Sequence, residues 1–402
     1  MSTTRVLAGL ILAVLACTGL AQGPIVTKIA GKNPGLQITS FTGPDAVKAQ
    51  LTSDLTYSDW FTLTNDKAEI AYTLKAAYTA SGAEGGLELR LADSTGKEIV
   101  AFRQRGAAAQ PRQIVHAAVD ALISQTFEGA KGFCSTNLLY VKDLRGVKEV
   151  WQSEFDGGEP SVVTVNRRLS TEPSWGPGNS TMIYTLYGTK NTWLMVMDMR
   201  TKAQQVYARY PGLNAGGSIS PDGSSVAMLL SKDGQVDLYV MTIANQKLKR
   251  LTNNASNEAS PTWSPDGRTI CFTSDHASRQ PTLYTISPRG GTPKPLLKLR
   301  VEAVSPDWSP DGQKICFATR VGANYHIAVW PGKDGADFDV VSKTAGDWEG
   351  PTWAADSRHI ACSRNQGGNR ALYLLDSWYG TTRQLQNFTG HDTLPDYSEA
   401  RR

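Results

Sequence analysis

The sequence predicts a two-part chain, an N-terminal α/β domain followed by an all-β, six-bladed β-propeller. Three observations predict this fold. An aromatic or apolar residue recurs every 44 or 45 residues after position 170, a tight-turn motif follows several of these residues, and a different, helix-containing pattern fills the chain before residue 130. A regular period of this length is typical of repeat architectures, so it is the first feature to interpret.

The recurring residue, called the anchor below, holds the same place in six copies of one pattern. In SPTWSPDG (260–267) and SPDWSPDG (305–312), the tetrapeptide Ser-Pro-Asp-Gly follows directly after the anchor. Proline presets φ, aspartate bonds back to the backbone and glycine accepts a positive φ, so this tetrapeptide predicts a tight turn. Three further β-rich runs complete each unit, and four antiparallel strands in about 40–45 residues form one propeller blade. The anchors, which we expect to pack between blades, are Trp175, Ile219, Trp263, Trp308, Trp353 and Tyr397.

The two ends of the repeat region predict how the ring closes. Tyr397 matches the anchor register, but only five residues follow it in the sequence, too few for a blade. Residues 137–169 contain three strand-like runs with no anchor before them. We therefore expect the C-terminal strand to complete a blade with these three runs. Closure of this kind leaves no open sheet edge between the first and last blades.

We predict that residues 22–130 form the small α/β domain and that residues 131–402 form the propeller, with the linker between them at residues 128–132. Strand patterns cover residues 35–41, 68–81, 86–94 and 97–105, the last two joined by a hairpin turn at 94–96. Apolar residues repeat at helical spacing in 43–61 and 111–127, which predicts two helices. Asp45 is a candidate N-cap for the first helix, and Pro111 lies in the first turn of the second.

The first residues of the chain predict export. Residues 1–21 carry Arg5, an apolar run over 6–16 and then small residues, the pattern of a secretory signal cleaved after Ala21. The alternative is a lipoprotein signal that leaves a lipid tether on Cys17. No later stretch is apolar over the roughly 18 residues that a membrane-spanning helix needs.

Four cysteines follow this segment, and export would permit them to form disulfides. No pair has CxxC spacing. Cys271 and Cys316 hold equivalent positions in neighbouring repeat units, and such positions rarely come within bonding distance. We therefore expect buried, unbridged thiols at Cys134, Cys271, Cys316 and Cys362.

Charge and motifs argue against several classes of function. Lys and Arg exceed Asp and Glu by only four and form no basic block, so no nucleic-acid partner is predicted. The chain has no HExxH, Walker or GxGxxG motif and no metal-ligand spacing, and GGSIS (216–220) departs from GxSxG at Ser220. We therefore predict no catalytic residue, no cofactor and no metal site. A binding scaffold remains open, and so does an exported propeller enzyme or glycan-binding protein with an unrecognised site.

Two stretches, residues 220–267 and KGFCSTNLLYV (131–141), resemble the TolB family, the periplasmic propeller component of Tol-Pal systems. The resemblance covers most of the chain after the signal sequence. It implies a non-enzymatic, monomeric periplasmic protein that binds a Pal-like peptidoglycan-associated lipoprotein at one propeller mouth. It also implies a contact between residues 22–32 and a TolA-like protein, and a role in outer-membrane integrity and constriction during cell division. The family's segment is acidic, whereas here it carries Lys28 and Lys32 and no acidic residue.

The resemblance further implies where the lipoprotein would bind. Carried over by position, the partner-binding residues lie in the loops just before the anchor strands, which converge on one mouth of the channel. They predict an acidic rim around an aromatic contact at Trp348. The residues are Leu213, Asn214, Ala215, Gly216, Asn257, Glu258, Ala259, Glu302, Ala303, Asp347, Trp348 and Glu349.

Overall fold

The structure is a computed structural model that describes residues 32–276, 280–298, 301–333, 336–388 and 390–399. The predicted signal sequence, the alternative lipid site at Cys17 and residues 22–31 of the predicted TolA-contacting segment lie outside these ranges. Neither helix within them is long and apolar enough to cross a membrane.

The N-terminal part is a five-stranded sheet, in the spatial order β2-β1-β3-β4-β5, with two helices packed on it. Val47, Leu51 and Leu55 form the buried face of α1, as their helical spacing predicts. Asp45 is not the N-cap, because α1 begins at this residue and Pro44 holds the cap position. The elements are β1 (Gly35–Thr42), α1 (Asp45–Tyr57), β2 (Thr62–Leu63), β3 (Ile70–Ser81), β4 (Glu84–Asp93), β5 (Glu98–Ala107) and α2 (Pro111–Thr126).

Six four-stranded antiparallel sheets follow, and they form the six predicted blades. Blade 1 consists of β29 (Asp392–Tyr397), β6 (Asn137–Leu144), β7 (Val147–Glu154) and β8 (Ser161–Val162), and blade 2 of β9 (Ser170–Trp175), β10 (Thr181–Tyr187), β11 (Thr192–Asp198) and β12 (Gln204–Ala208). Blade 3 consists of β13 (Asn214–Ile219), β14 (Ser225–Leu230), β15 (Asp237–Thr242) and β16 (Lys247–Arg250), and blade 4 of β17 (Glu258–Trp263), β18 (Ile270–Ser274), β19 (Thr282–Ile286) and β20 (Lys294–Pro295). Blade 5 consists of β21 (Ala303–Trp308), β22 (Ile315–Val321), β23 (Asn324–Trp330) and β24 (Asp339–Val340), and blade 6 of β25 (Asp347–Trp353), β26 (His359–Gln366), β27 (Asn369–Asp376) and β28 (Thr382–Gln384).

Blade 1 confirms the predicted closure of the ring. Strand β29 pairs antiparallel with β6, with Tyr397 opposite Leu138. The Tyr397 hydroxyl donates a 2.7 Å hydrogen bond to the Phe155 carbonyl, and the Ser398 N–H donates one of 2.8 Å to the Asn137 carbonyl. The C-terminal strand thus supplies the inner strand of the blade that the propeller begins with.

The anchors join neighbouring blades, as their spacing predicts. In three of the four tryptophan anchors, the indole N–H donates to a backbone carbonyl in the inner strand of the preceding blade, and these bonds link neighbouring blades. Trp308 differs, since its indole bonds to Gly312 in its own turn. The inter-blade bonds are Trp263 Nε1 to Ser218 O (3.0 Å), Trp353 Nε1 to Asp307 O (3.2 Å) and Trp175 Nε1 to Asp396 O (3.1 Å).

The Ser-Pro-Asp-Gly segments form the tight turns that were expected. In blade 4, Asp266 Oδ1 accepts hydrogen bonds from the Ser264 hydroxyl at 2.6 Å and from the Arg268 N–H at 3.0 Å. Gly267 has a φ of 69°, which an L side chain rarely adopts. The repeated aspartate is therefore a turn former in this protein.

Cys134, Cys271, Cys316 and Cys362 are buried, free thiols in the structure, which confirms the prediction for these four residues. Burial raises the pKa of each thiol, so all four stay protonated at neutral pH.

Candidate partner-binding site at the propeller mouth

Each inner strand carries a β-bulge at the same place, three residues before its anchor. The pairing register shifts there in every blade, and the residue at this position −3 has a positive φ. The next residue is Gly217 in blade 3 and a proline in each of the other five blades. Proline is common at such a position because the bulge removes a ladder hydrogen bond. The bulged residues are Glu172 (φ 51°), Gly216 (60°), Ser260 (46°), Ser305 (53°), Gly350 (57°) and Leu394 (53°).

The bulges line a central cavity of about 220 Å³. Position −1 contributes a ring of polar side chains to it, and two of them are carboxylates on blades that flank blade 6. The ring consists of Ser174, Ser218, Thr262, Asp307, Thr352 and Asp396.

The two carboxylates of this ring bind the backbone of the next blade. Asp307 Oδ2 accepts the Trp353 N–H at 2.8 Å, and Asp396 Oδ2 accepts the Trp175 N–H at 2.6 Å. Burial raises the pKa of Asp307 to about 6 and that of Asp396 to about 8, and the charge of Asp307 adds to the effect at Asp396. These residues serve as inter-blade links.

The mouth of the channel on the side where the inner strands begin is called the strand-start mouth below. Position −6 is exposed or half-buried in every blade, whereas position −5 is buried in every blade. The surface residues at −6 are Leu169, Leu213, Asn257, Glu302, Asp347 and His391. The buried residues at −5 are Ser170, Asn214, Glu258, Ala303, Trp348 and Asp392.

The predicted partner-binding residues do gather at the strand-start mouth, but most are not loop residues. Leu213, Asn257 and Glu302 immediately precede the inner strands, and the other nine lie within β13, β17, β21 and β25. Five of the twelve are buried and have no side-chain surface to offer a partner. These five are Asn214, Ala215, Glu258, Ala303 and Trp348.

The expectation that Trp348 forms an aromatic contact at the mouth is wrong. Its side chain is 0% exposed and belongs to the apolar cluster between blades 5 and 6. The indole N–H donates to the Thr344 carbonyl at 2.9 Å, and the ring packs edge-on against Tyr373 at 5.4 Å. Trp348 is a core residue because position −5 is buried in every blade, and in blade 6 its side chain packs between blades 5 and 6.

Glu258 is also not part of an acidic rim. It is 3% exposed, and its Oε1 accepts a 3.2 Å hydrogen bond from the Asn254 amide. Burial raises the pKa of its carboxyl, with hydrogen bonds from neighbouring polar groups opposing the shift. Asn214 is likewise internal, since its amide donates to the Thr192 and Tyr210 carbonyls.

Four acidic side chains remain at the strand-start mouth. Glu302 and Asp347 hold position −6, where Glu302 Oε2 accepts from Arg320 Nε at 2.9 Å and Asp347 Oδ1 accepts the Tyr325 N–H at 3.1 Å. The Glu349 side chain is 42% exposed. Glu172, which the sequence analysis missed, is exposed at position −3. Its place in the anchor register, equivalent to Gly216, was the signal that could have found it.

The α/β part packs on the opposite side of the ring, where the inner strands end. Arg358, just after the turn that follows β25, contacts Asn33 at 3.1 Å and lies 4.9 Å from the Trp60 ring centroid. Phe133 stacks on His359 at 4.9 Å and meets Tyr397 edge-on at 6.0 Å. The strand-start mouth therefore faces away from the α/β part.

Fold and site together define a class: a six-bladed propeller with an N-terminal α/β part on one face and an acidic, polar mouth on the other. Residues 125–401 match the family model described as the TolB beta propeller domain. The chain therefore belongs to the TolB β-propeller family.

Individual relatives agree with this assignment. The chain is 27% identical over 208 residues to a protein TolB homolog of Chlorobium chlorochromatii, covering 51% of this chain and 46% of that one. It is 28% identical over 184 residues to the Tol-Pal system protein TolB of Anaeromyxobacter dehalogenans, covering 46% and 42%. The matches thus span less than half the length of these relatives. A crystal structure of TolB from Acinetobacter baumannii has the same fold, with a TM-score of 0.83, 21% identity and coverage of 93% and 98%.

Proposed function

We propose that this protein is a non-enzymatic scaffold of a periplasmic Tol-Pal system, which binds a Pal-like lipoprotein at the strand-start mouth. In this role it would support outer-membrane integrity and constriction during cell division. Membership of the TolB family and the Tol-Pal names of its relatives support the proposal.

The observation that carries the proposal is the position and chemistry of the strand-start mouth. Six blades hold their −6 and −3 residues in one ring, and a rigid scaffold that presents variable residues on one rim is typical of binding sites. Glu172, Glu302, Asp347 and Glu349 place carboxylates on this rim, where Arg320 and Arg370 pair with Glu302 and Glu349, and Leu213 adds half-buried apolar surface. Such a polar, charged rim fits a protein partner with a basic or hydrogen-bonding surface.

The contact with a TolA-like protein is assigned to residues 22–32 on the resemblance alone. This segment precedes β1, which belongs to the α/β part on the face opposite the strand-start mouth.

Affinity for the lipid-free Pal-like protein of the same organism, measured by titration calorimetry, tests the proposal. Glu349→Lys reverses an exposed rim charge whose neighbour Arg370 is 4.0 Å away, and Asn257→Arg changes an exposed −6 residue. We expect each variant to weaken binding about tenfold, a cost of about 1.4 kcal/mol.

The matched control is Arg268→Glu, a charge reversal on a 70% exposed side chain at the opposite, turn-side mouth. It should bind like the wild type, and all three variants should keep the wild-type melting temperature. Absence of binding by the wild type would contradict the proposed partner. Equal affinities of the wild type and both rim variants would contradict the proposed site.

A further inference from the structure

Three side chains of the kinds that bind metal ions, two aspartates and one histidine, meet where the α/β part contacts blade 6. Asp59 follows α1, His359 begins β26 and Asp376 ends β27. One ligand atom of each lies within 4.8 Å of the ligand atoms of the other two. The spacing of motifs in the sequence could not reveal this set, because Asp59 is remote from the other two residues in the chain.

His359 is held in the form that a metal ligand requires. Its side chain is 0% exposed, and Nδ1 lies 2.6 Å from Asp356 Oδ2. The Asp356 carboxylate is itself fixed by the backbone N–H groups of Arg358 and His359, each at 2.9 Å. When Nδ1–H donates a hydrogen bond to a carboxylate, the lone pair of the neutral imidazole lies on Nε2 and is free to bind a metal ion, the arrangement of carboxylate–histidine–zinc sites.

The Nε2 atom of His359 has no hydrogen-bond partner within the described residues although it is fully buried. A buried polar atom without a partner is rare, since the loss of its hydration is not offset. One imidazole nitrogen of His359 lies within 4.8 Å of the Asp59 and Asp376 carboxylates. Because Nδ1 is held by Asp356, we assign this nitrogen as Nε2. A bound cation would supply the missing partner.

Charged side chains of both signs surround the group of three. Arg358 bonds to Asp376 through Nη2 at 2.6 Å, and Arg383 lies 3.7 Å from Asp59. With Asp356 the group contains three carboxylates, and Lys314, which donates to the Ser357 carbonyl and interacts with the charges of Asp356 and Asp376, brings the cationic side chains to three as well. A bound Zn²⁺ ion is therefore held by the bonds to its ligands and not by an excess of negative charge.

Asp376 Oδ1 accepts from Arg358 Nε at 3.3 Å and from the Trp378 N–H at 2.8 Å. Asp376 Oδ2 accepts from Arg358 Nη2 and keeps a second lone pair for a metal ion.

Arg358 is kept in place by its aromatic neighbours. Its guanidinium carbon lies 4.9 Å from the Trp60 ring centroid and 4.3 Å from that of Trp378. Cation–π contacts with the two indoles add to the hydrogen bonds that Arg358 donates to both Asp376 oxygens, and together they hold this charge beside the cluster.

We propose that Asp59, His359 and Asp376 form a Zn²⁺ site that fastens the α/β part to blade 6. One imidazole nitrogen and two carboxylate oxygens suit Zn²⁺, whereas Ca²⁺ and Mg²⁺ prefer ligand sets made of oxygen alone. Ligand atoms around a tetrahedral Zn²⁺ ion lie about 3.4 Å apart, so small rotations of Asp59, whose side chain is 23% exposed, complete the site. Water fills the remaining position.

The test uses the full mature chain without a histidine tag, stripped with a chelator and titrated with ZnCl₂. We expect one Zn²⁺ per chain by equilibrium dialysis and a melting temperature that rises with Zn²⁺ concentration, because a ligand of the folded state stabilises it. CaCl₂ and MgCl₂ at the same concentrations should leave the melting temperature unchanged. Co²⁺ in place of Zn²⁺ should give the visible absorption of a nitrogen- and oxygen-ligated ion.

Asp59→Asn removes one ligand from a partly exposed position and should fold, while His359→Gln removes the nitrogen ligand. Each should weaken Zn²⁺ binding at least tenfold. The matched control is His326→Gln in β23, where Nδ1 lies 2.9 Å from the Ser342 carbonyl, and it should bind Zn²⁺ like the wild type. No Zn²⁺ binding by the wild type, or undiminished binding by Asp59→Asn, would overturn the proposal even if His359→Gln fails to fold.

Discussion

At the scale of single residues, the channel carboxylates link stability to pH. Asp396 is an acid whose pKa is raised by burial from 3.8 to about 8, so the folded protein keeps this proton over a range where the unfolded chain has lost it. Stability therefore falls as pH rises from the lower value to the upper one. The same argument applies to Asp307, but the pH range over which its burial lowers stability is shorter and ends at about pH 6.

The substitution Asp396→Asn tests this sign. Asparagine keeps an oxygen that accepts the Trp175 N–H but cannot ionise. We expect the variant to be more stable than the wild type at pH 8.5 by several kcal/mol, since each pKa unit between 3.8 and about 8 corresponds to about 1.4 kcal/mol, and to lose most of this advantage at pH 4.5. Urea unfolding across this pH range measures the difference. In Asp307→Asn the gain should already be complete near pH 6.5, whereas pH profiles parallel to the wild type would contradict the assignment.

At the scale of elements, the sequence predicted the strands and their partners better than the direction of their side chains. The anchors and turns recur in recognisable residues, so the blades and the closing strand could be predicted. The bulge could not, because position −3 is glycine only at Gly216 and Gly350 and carries Glu172, Ser260, Ser305 or Leu394 elsewhere. The extra residue shifts the inward–outward alternation, which turns position −5 inward and buries Trp348 and Glu258.

The closing strand β29 carries the element-scale prediction. A chain that ends at His391 loses the pairing with β6, the buried Tyr397 ring and the carbonyl that accepts the Trp175 indole. We expect a loss of at least about 3–5 kcal/mol, the range for removing a large buried side chain, with further loss from the unpaired edge of β6. Urea unfolding measures it, with a chain that ends at Glu399 as the control. Identical midpoints for the two truncated chains would contradict the closure role.

At the scale of the whole molecule, an ionic cluster joins the α/β part to blade 1. His116 of α2 lies with Nδ1 2.6 Å from Asp54 Oδ2 in α1 and with Nε2 3.2 Å from Glu154 Oε2 in β7. Arg112 also reaches Glu154, at 2.5 Å. The sequence could not predict this cluster, because the lone histidine stands among apolar residues of α2 and its acidic partners come from two other elements.

The charge on His116 is the feature to test. Burial opposes this charge, but hydrogen bonds and attraction from Asp54 and Glu154 outweigh burial and raise the pKa to about 10. A histidine whose pKa is higher in the folded state stabilises the protein fully below its unfolded value of about 6.5. That contribution is lost as pH rises through about 10.

Burial raises the pKa of Asp54 to about 6, so the ion pair is best tested above this value. The substitution His116→Gln should therefore cost more stability at pH 7 than at pH 10. We expect about 3 kcal/mol at pH 7, the scale for breaking a buried ion pair, and a clearly smaller loss at pH 10 because the wild type has by then given up part of the interaction. Urea unfolding at the two pH values measures both losses. His276→Gln, the same substitution at an exposed histidine in the loop after β18, should change stability little at either pH. An equal loss at both pH values for His116→Gln would mean that packing, and not the charge of His116, holds the two parts together.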